Sequence, residues 1–143
     1  MAGETIIQPS SSWVTLQAAA STANGAMSAG AVTAISATSL TANEQKYPLI
    51  DIRAVVTVAN PTINTTIDIY RRSSDGTNQS PVPSATYLQQ YVGSAVLDDE
   101  TGSYYLWGVS NVDPAATFYA MNNSGTTVTI QLVGRTRGWT TAA

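Results

Sequence analysis

The chain has 143 residues and a formal net charge of −3, with 43% hydrophobic residues and only 10% charged ones. This length accommodates one domain with a sizeable core and is too short for two. Six basic residues cannot build the large basic face that binding to a nucleic-acid backbone requires, so nucleic acid is not an expected partner. No apolar run is long enough to span a membrane, and the N-terminus lacks the pattern of a secretory signal, so no membrane association is predicted.

The absence of histidine and cysteine bears directly on catalysis. These residues supply the commonest general base, the thiolate nucleophile and the usual zinc ligands, so Ser-His-Asp and Cys-His arrangements are impossible. Carboxylates remain, and two of them suffice for a glycosidase. We nevertheless expect a protein that is not an enzyme and holds no cofactor or metal. The low charge favours a subunit that packs against other subunits, or a β domain rich in strand-favouring threonine.

Residues 1–45 are predicted to form an extended N-terminal arm with weak strands. The stretch 17–35 consists mainly of small side chains and recovers little of the entropy that ordering costs. Trp13, Val14 and Leu16 form a short apolar group, either a first strand or an anchor. Two interpretations stay open: the arm orders on a neighbouring subunit, or it supplies an ordinary edge strand and loops.

Residues 46–143 are predicted to form an antiparallel β-sandwich or jelly roll with a short C-terminal tail. From residue 48 to 58 the even positions are apolar, which is the period-two alternation of a half-buried strand. Residues 65–72 alternate in the same way after a turn at 60–64. They are therefore predicted to be the hairpin partner of the first strand.

The second half of this domain contains further strand and turn signals, which together indicate an all-β class. Residues 84–97 fit either a short helix or an irregular strand. Residues 103–109 have bulky side chains on both faces, which predicts a central strand covered on two sides. Residues 117–121 and 126–135 flank an Asn-Asn-Ser-Gly turn and are predicted to pair as a hairpin. The side chains of the last strand that are expected to face inward are Val128, Ile130 and Leu132.

Acidic residues offer two candidate sites. Asp98, Asp99 and Glu100 could bind calcium through carboxylate oxygens, but the spacing of an EF-hand is absent and a solvated turn is expected. Asp51 and Asp68 are predicted on the outward faces of adjacent strands, which suits exposed ion pairs better than a buried catalytic acid. The expected partners of these two carboxylates are Arg53, Arg71 or Arg72.

Three aromatic residues close together offer a second kind of site. Tyr104, Tyr105 and Trp107 are expected in the core, where aromatic side chains bury the most area. The alternative is an exposed strip of rings that holds sugars.

The C-terminal tail carries Trp139 together with Arg135 and Arg137. Tryptophan and arginine are enriched at binding hot spots, so the tail is predicted to be an interface anchor, or else it folds back on its own sandwich. The expected intersubunit contacts are Trp13, Val14, Leu16, Arg135, Arg137 and Trp139.

The chain resembles small virion structural proteins of tailed bacteriophages, of the capsid decoration (cement) type. The resemblance lies in the small-residue arm, the segment Tyr47-Pro-Leu-Ile-Asp-Ile-Arg53, the strand Thr126-Thr-Val-Thr-Ile-Gln-Leu132 and the lack of Cys and His. It covers the general style of the chain and carries over no functional residue. It implies a β-rich subunit, often trimeric, that clamps neighbouring major capsid proteins with a terminal arm.

From this resemblance we expect a homotrimer or other homo-oligomer on the capsid surface, made in the host cytoplasm. Deletion of residues 1–20 is expected to abolish capsid binding and to leave the β domain folded. The alternatives are a carbohydrate-binding or host-recognition β-sandwich module, and a tail or head-completion protein.

Overall fold

The structure is a computed structural model that describes residues 5–9, 12–34, 40–41, 44–45, 49–110 and 115–141. Residues 5–9, 40–41, 44–45 and 139–141 are described by their backbone alone. The described residues contain strands and no helix. The strands are β1 (Thr5–Pro9), β2 (Val14–Thr22), β3 (Leu40–Thr41), β4 (Glu44–Gln45), β5 (Leu49–Thr57), β6 (Thr66–Arg72), β7 (Tyr91–Val96), β8 (Gly102–Ser110), β9 (Thr117–Asn123) and β10 (Val128–Thr141).

The main sheet is built around β10. On one side β10 pairs antiparallel with β5, which in turn pairs with β8 at the edge of the sheet. On its other side β10 pairs with β2 along its first half and with β1 along residues 137–141. The second sheet has the order β7, β6, β9, and all of its pairings are antiparallel. The two packed sheets form the antiparallel β-sandwich that the sequence predicts, while β3 and β4 pair only with each other.

Both predicted hairpins are wrong. β5 lies in the main sheet and β6 in the second, so the turn at 60–64 crosses between sheets; the link from β9 to β10 does the same. The amide of Asn122 fixes this second crossing, because its nitrogen donates to the carbonyls of Thr22 and Thr126 at 2.7 and 2.8 Å. Alternation of side chains shows which face of a strand is buried, and it does not show which strand is its neighbour.

The core lies between the two sheets and follows the predicted faces of β5 and β10. The even positions of β5 are fully buried, as are the predicted inward side chains of β10. Val58 is an exception at 83% exposure, because its positive φ of 80° already turns the chain out of the sheet. The largest fully buried side chains are Phe118, Leu16, Ile50, Ile52, Ile67, Ile69, Leu97, Ile130, Leu132, Gln17, Val56 and Val128.

Much of the predicted arm belongs to the sandwich. β2 is hydrogen-bonded to β10, and Leu16 is part of the core. The next residues cross to the second sheet, where Met27 bridges Met121 of β9, and then return so that Ala31 accepts from Ala18 N–H. A Cβ at Gly30 would lie 2.0 Å from the Ala18 carbonyl oxygen, so this close return requires glycine. The described residues 12–34 thus close one side of the sandwich and are not a separate arm.

The other side of the sandwich is formed by β7 and β8. The predicted helix or irregular strand at 84–97 is a strand only over Tyr91–Val96, with turns and bends before it. β8 is an edge strand, and Trp107 and Tyr105 on it are 56% and 43% exposed. The prediction of a central strand was therefore wrong, because one bulky face of β8 covers the core and the other forms a surface cluster.

Candidate functional site

Five side chains form a compact group on the outward face of the main sheet, named here the aromatic–arginine cluster. It consists of Trp13, Arg53, Tyr105, Trp107 and Arg135. The strand register explains this grouping, because Arg53 of β5 lies directly opposite Tyr105 of β8. Trp13 immediately precedes β2, whose first residues pair with β10 near Arg135. Four strands that lie side by side in the main sheet, β2, β10, β5 and β8, therefore contribute to one surface.

The three rings of the cluster hold one another in place. Tyr105 and Trp107 are stacked, with 4.8 Å between ring centroids and 2° between ring planes. Trp13 meets Tyr105 at 6.1 Å and Trp107 at 6.4 Å, in both cases tilted by about 60°. Such offset and edge contacts between aromatic rings stabilise by roughly 0.5–1.5 kcal/mol each beyond the area they bury. The outermost rings are thus ordered although they are more than one-third exposed.

Two guanidinium groups complete the cluster. The Cζ atoms of Arg53 and Arg135 lie 4.9 and 4.6 Å from the ring centroid of Trp13, and Arg135 also lies 5.7 Å from that of Trp107. A cation in this position is attracted by the negative face of the ring, by about 0.5–1 kcal/mol at exposed sites. Both guanidinium groups therefore lie over the Trp13 ring.

The carboxylate of Asp51 anchors Arg135 of the cluster and the neighbouring Arg137. Its carboxylate has no exposed surface and accepts hydrogen bonds from Arg135 Nε at 3.1 Å, from Arg137 Nη2 at 2.8 Å and from the Gly108 N–H at 3.0 Å. Burial by itself raises the pKa of Asp51, but the bonds from Arg137, Gly108 and Arg135 together hold the pKa below its ordinary value of 3.8. Asp51 is therefore an ionised, buried anchor.

The predicted exposed position of Asp51, and its predicted partners, were wrong. The prediction that the Asp51 side chain lies on the outward face was correct, but neighbouring side chains cover its carboxylate and exclude water. A β-bulge explains the burial: between Ile50 and Ile52 the partner strand β8 has one extra residue, so that Trp107 and Gly108 both lie opposite Asp51. Gly108 has a φ of 65°, a conformation that favours glycine, and this turns its N–H onto the carboxylate.

The described side chains on the outward face of the main sheet carry a net positive charge, in a chain of net charge −3. Arg53, Arg135 and Arg137 contribute three positive charges, and Asp51 contributes one negative charge, which leaves +2. Asp68 lies on the second sheet, where it accepts from Ser94 at 2.5 Å and Asn123 at 2.6 Å. Asp51 and Asp68 therefore do not converge on one site.

In the acidic turn Asp98–Glu100, the carboxylate of Asp98 is hydrogen-bonded by residues close to it in the chain. Asp98 accepts from the Tyr104 hydroxyl and from the Glu100 N–H. Burial and the Asp98 carboxylate raise the pKa of Tyr104 to about 12. Within the described ranges no group of three or more His, Cys, Asp or Glu side chains is arranged to hold a metal ion.

The described part of the chain also contains no helix of sufficient length and apolarity to cross a membrane.

The predicted intersubunit contacts fall in three different environments. Trp13, Arg135 and Arg137 lie at or beside the aromatic–arginine cluster, and Val14 next to them is 48% exposed. Leu16 is fully buried in the core and is not available to a partner. Trp139 pairs with Ile7 through its backbone, and its side chain lies outside the described residues.

Sequence reasoning did not place three members of the cluster among the expected intersubunit contacts. Arg53 was expected as an ion-pair partner. Tyr105 and Trp107 were expected in the core, with an exposed strip of rings as the alternative, and the structure shows the alternative for these two residues. The sequence did contain a signal for the surface position of Arg53. It lies at an odd position of β5, so its side chain must be on the outward face, together with any aromatic side chain that lies opposite it on the neighbouring strand. The exposure of Tyr105 and Trp107 depends on the outward face of the main sheet being left uncovered at β8, which no local pattern shows.

Comparison with known proteins gives no match: no family model, no curated protein and no solved structure is similar to the chain. The function of this surface is therefore inferred from the chemistry of the cluster. Its exposed rings and fixed cations provide apolar contact area and hydrogen-bond donors, which are the properties of a surface that packs against another protein.

Proposed function

We propose that the chain is a non-enzymatic virion structural subunit, of the capsid decoration (cement) type, and that it docks on major capsid proteins through the aromatic–arginine cluster. The observation that carries the docking surface is the exposed pair Tyr105 and Trp107, held against the half-buried Trp13 and two arginines. Tryptophan, tyrosine and arginine are the residue types that dominate binding hot spots. The choice of a capsid as the partner rests on the resemblance in sequence style.

Preorganisation supports this role. Asp51 fixes Arg135, and the rings fix one another, so docking immobilises few side chains that were free before. Each rotamer-rich side chain that is ordered on binding costs about 0.5–1.5 kcal/mol, and this cluster avoids much of that cost. A subunit that binds only the assembled lattice stabilises it by mass action. The free energy of this stabilisation grows with the logarithm of the ratio between the free subunit concentration and Kd.

The test is co-sedimentation of the purified chain with shells assembled from the major capsid protein encoded in the same genome. We expect saturable binding to shells and none to unassembled capsid protein. Trp107→Ala is expected to weaken binding at least tenfold, since it removes a hot-spot side chain. Tyr87→Ala is the matched control, because Tyr87 is 62% exposed and lies outside the cluster.

Two results would contradict the proposal in different ways. Absence of binding to shells at any concentration would exclude the decoration role. Equal binding by Trp107→Ala and Tyr87→Ala would keep that role and exclude the cluster as the docking surface. Binding to tails or to head vertices alone would favour a tail or head-completion protein.

A glycan-binding module is the second candidate, because Tyr105 and Trp107 are exposed on a β-sandwich. Sugar rings stack on open aromatic faces, whereas each of these two rings has one face covered by the other, at a centroid distance of 4.8 Å. The geometry therefore favours a protein partner. A glycan array would reverse this preference if it showed binding that Trp107→Ala abolishes and Tyr87→Ala retains.

A further inference from the structure

Arg53 is the arginine of the aromatic–arginine cluster that contacts no carboxylate among the described residues. The carboxylate of Asp51 on the same face is already bound by Arg135 and Arg137. Arg53 instead lies over the Trp13 ring, with its Cζ atom 4.9 Å from the ring centroid. The surface that we propose for docking therefore contains one guanidinium whose charge has no anionic partner within the described residues.

The hydrogen-bond donors of Arg53 also lack acceptors within the described part of the chain. Its Nε is buried and has no hydrogen-bond partner there. The two terminal nitrogens make no hydrogen bond to a described residue either, and they are not buried, so an incoming group can reach them. A guanidinium presents its donors as a planar fork that matches the two oxygens of a carboxylate.

Docking through the cluster would remove water from this guanidinium. A charge that is covered without a partner opposes binding strongly, because its hydration is lost and nothing replaces it. Asp51 cannot supply the missing partner, since its oxygens are bound by Arg135, Arg137 and the Gly108 N–H. A tight complex on this surface therefore requires that the docking protein bring an anion of its own.

The surroundings of Arg53 suit an acidic side chain. Tyr105 lies directly opposite Arg53 on β8, and Trp13 contacts both residues. The methylene groups of an aspartate or glutamate can pack against these rings while the carboxylate meets the guanidinium. The charged side chains described on this face sum to +2, so an incoming negative charge is complementary to them.

We propose that the docking partner places the carboxylate of one Asp or Glu side chain on Arg53, where it accepts hydrogen bonds from both terminal nitrogens. This inference rests on the proposed function, because it concerns the surface that docks on capsid protein. Arg53 is then the residue of the cluster that determines specificity. A partner without an acidic side chain at this point leaves Arg53 covered and unpaired.

The test is a double-mutant cycle between the chain and the major capsid protein. Arg53→Gln is combined with single Asp→Asn and Glu→Gln substitutions at exposed acidic positions of the capsid protein, and Kd for assembled shells is measured for each pair. One capsid substitution is expected to weaken binding of the unmodified chain at least tenfold and binding of Arg53→Gln less than twofold. Arg72→Gln, on the second sheet, should couple to none of these positions.

Arg53→Lys is the second variant, because it keeps a cation near Trp13 and removes the planar fork. We expect it to bind shells at least fivefold more weakly than the unmodified chain. Full affinity of Arg53→Lys, or the lack of any capsid position that couples to Arg53, would overturn this inference. The docking surface itself would stand in that case if Trp107→Ala still weakened binding. Absence of shell binding by the unmodified chain would overturn the proposed function and this inference together.

Discussion

Asp51 shows how much one side chain contributes to the candidate surface. It is fully buried, although it lies on the outward face of the sheet, and its hydrogen bonds from three residues position Arg135, Arg137 and the bulge of β8. Since the side chains of the two arginines are 21% and 27% exposed, they can recover some solvation if the carboxylate is lost. The ion pairs therefore position the cluster as much as they stabilise the fold.

Asp51→Asn is expected to lower the free energy of unfolding by about 3 kcal/mol at neutral pH, because two guanidinium groups lose their charged partner. The pKa of Asp51 is lower in the folded than in the unfolded chain, so its contribution is present above the ordinary value of 3.8 and is lost as the pH falls below it. Urea denaturation between about pH 6 and pH 2 should thus show a steeper acid loss for the unmodified chain than for the variant.

Asp75→Asn is the control for this measurement. The pKa of Asp75 is also lowered, by backbone hydrogen bonds from Asn78 and Thr77, but Asp75 lies in an exposed loop. This variant should change stability at neutral pH much less than Asp51→Asn does. Equal stabilities of the Asp51→Asn and unmodified chains at neutral pH would contradict the role of Asp51 as an anchor.

The strands could largely be predicted from the sequence, whereas their neighbours in the two sheets could not. Alternation identified the buried faces of β5 and β10, because burial of every second side chain leaves a local signal. The same signal is left by a hairpin and by a chain that crosses between sheets, so β6 was assigned to the wrong sheet. β2 was predicted only as one of two alternatives, a first strand or an anchor, because Leu16 is its single large apolar core residue among small ones. The cluster could not be predicted as a whole, since its members come from strands far apart in sequence.

The place of β2 in the main sheet changes what an N-terminal deletion tests. Deletion of residues 1–20 removes β1 and most of β2, including Leu16, so we now expect an unfolded or strongly destabilised chain. Loss of one buried leucine alone costs about 2–5 kcal/mol. Deletion of residues 1–9 removes β1, which pairs only with residues 137–141 of β10, and should leave the sandwich folded.

Circular dichroism and thermal unfolding distinguish the two deletions. The shorter deletion should retain a cooperative transition within a few degrees of the full chain, and the longer one should lose it. A folded chain after deletion of residues 1–20 would show that β2 is dispensable for the sandwich. The shorter deletion is also the proper variant for measuring the part of β1 in capsid binding.

For the whole molecule, the distribution of charge matters more than its sum. The net charge is negative, yet the charged side chains described on the outward face of the main sheet sum to +2. Among the described residues, Arg53 contacts the Trp13 ring and makes no ion pair with a carboxylate. An incoming acidic surface would therefore meet Arg53 as the least neutralised charge of the cluster.

Docking through this face should weaken as salt concentration rises, because ions screen charges beyond a Debye length of about 10 Å at 0.1 M. Arg53→Gln is expected to lower the association rate several-fold at low salt and to flatten its salt dependence. Arg72→Gln serves as the control, since Arg72 lies on β6 and donates to the Ser80 carbonyl at 2.7 Å. Surface plasmon resonance on immobilised shells measures both rates, and equal salt slopes for the two variants would argue against electrostatic steering by the cluster.

The central position of β10 also has a consequence for the timing of folding. β10 follows every other described strand in chain order, yet β1, β2 and β5 all pair with it, across separations of more than seventy residues. During synthesis β1 and β2 therefore have no neighbour in the main sheet until β10 leaves the ribosome, and β5 has only β8. A product truncated before Val128 keeps at most the β5–β8 pair of this sheet. Only chains translated through β10 can present the complete outward face, including Arg135.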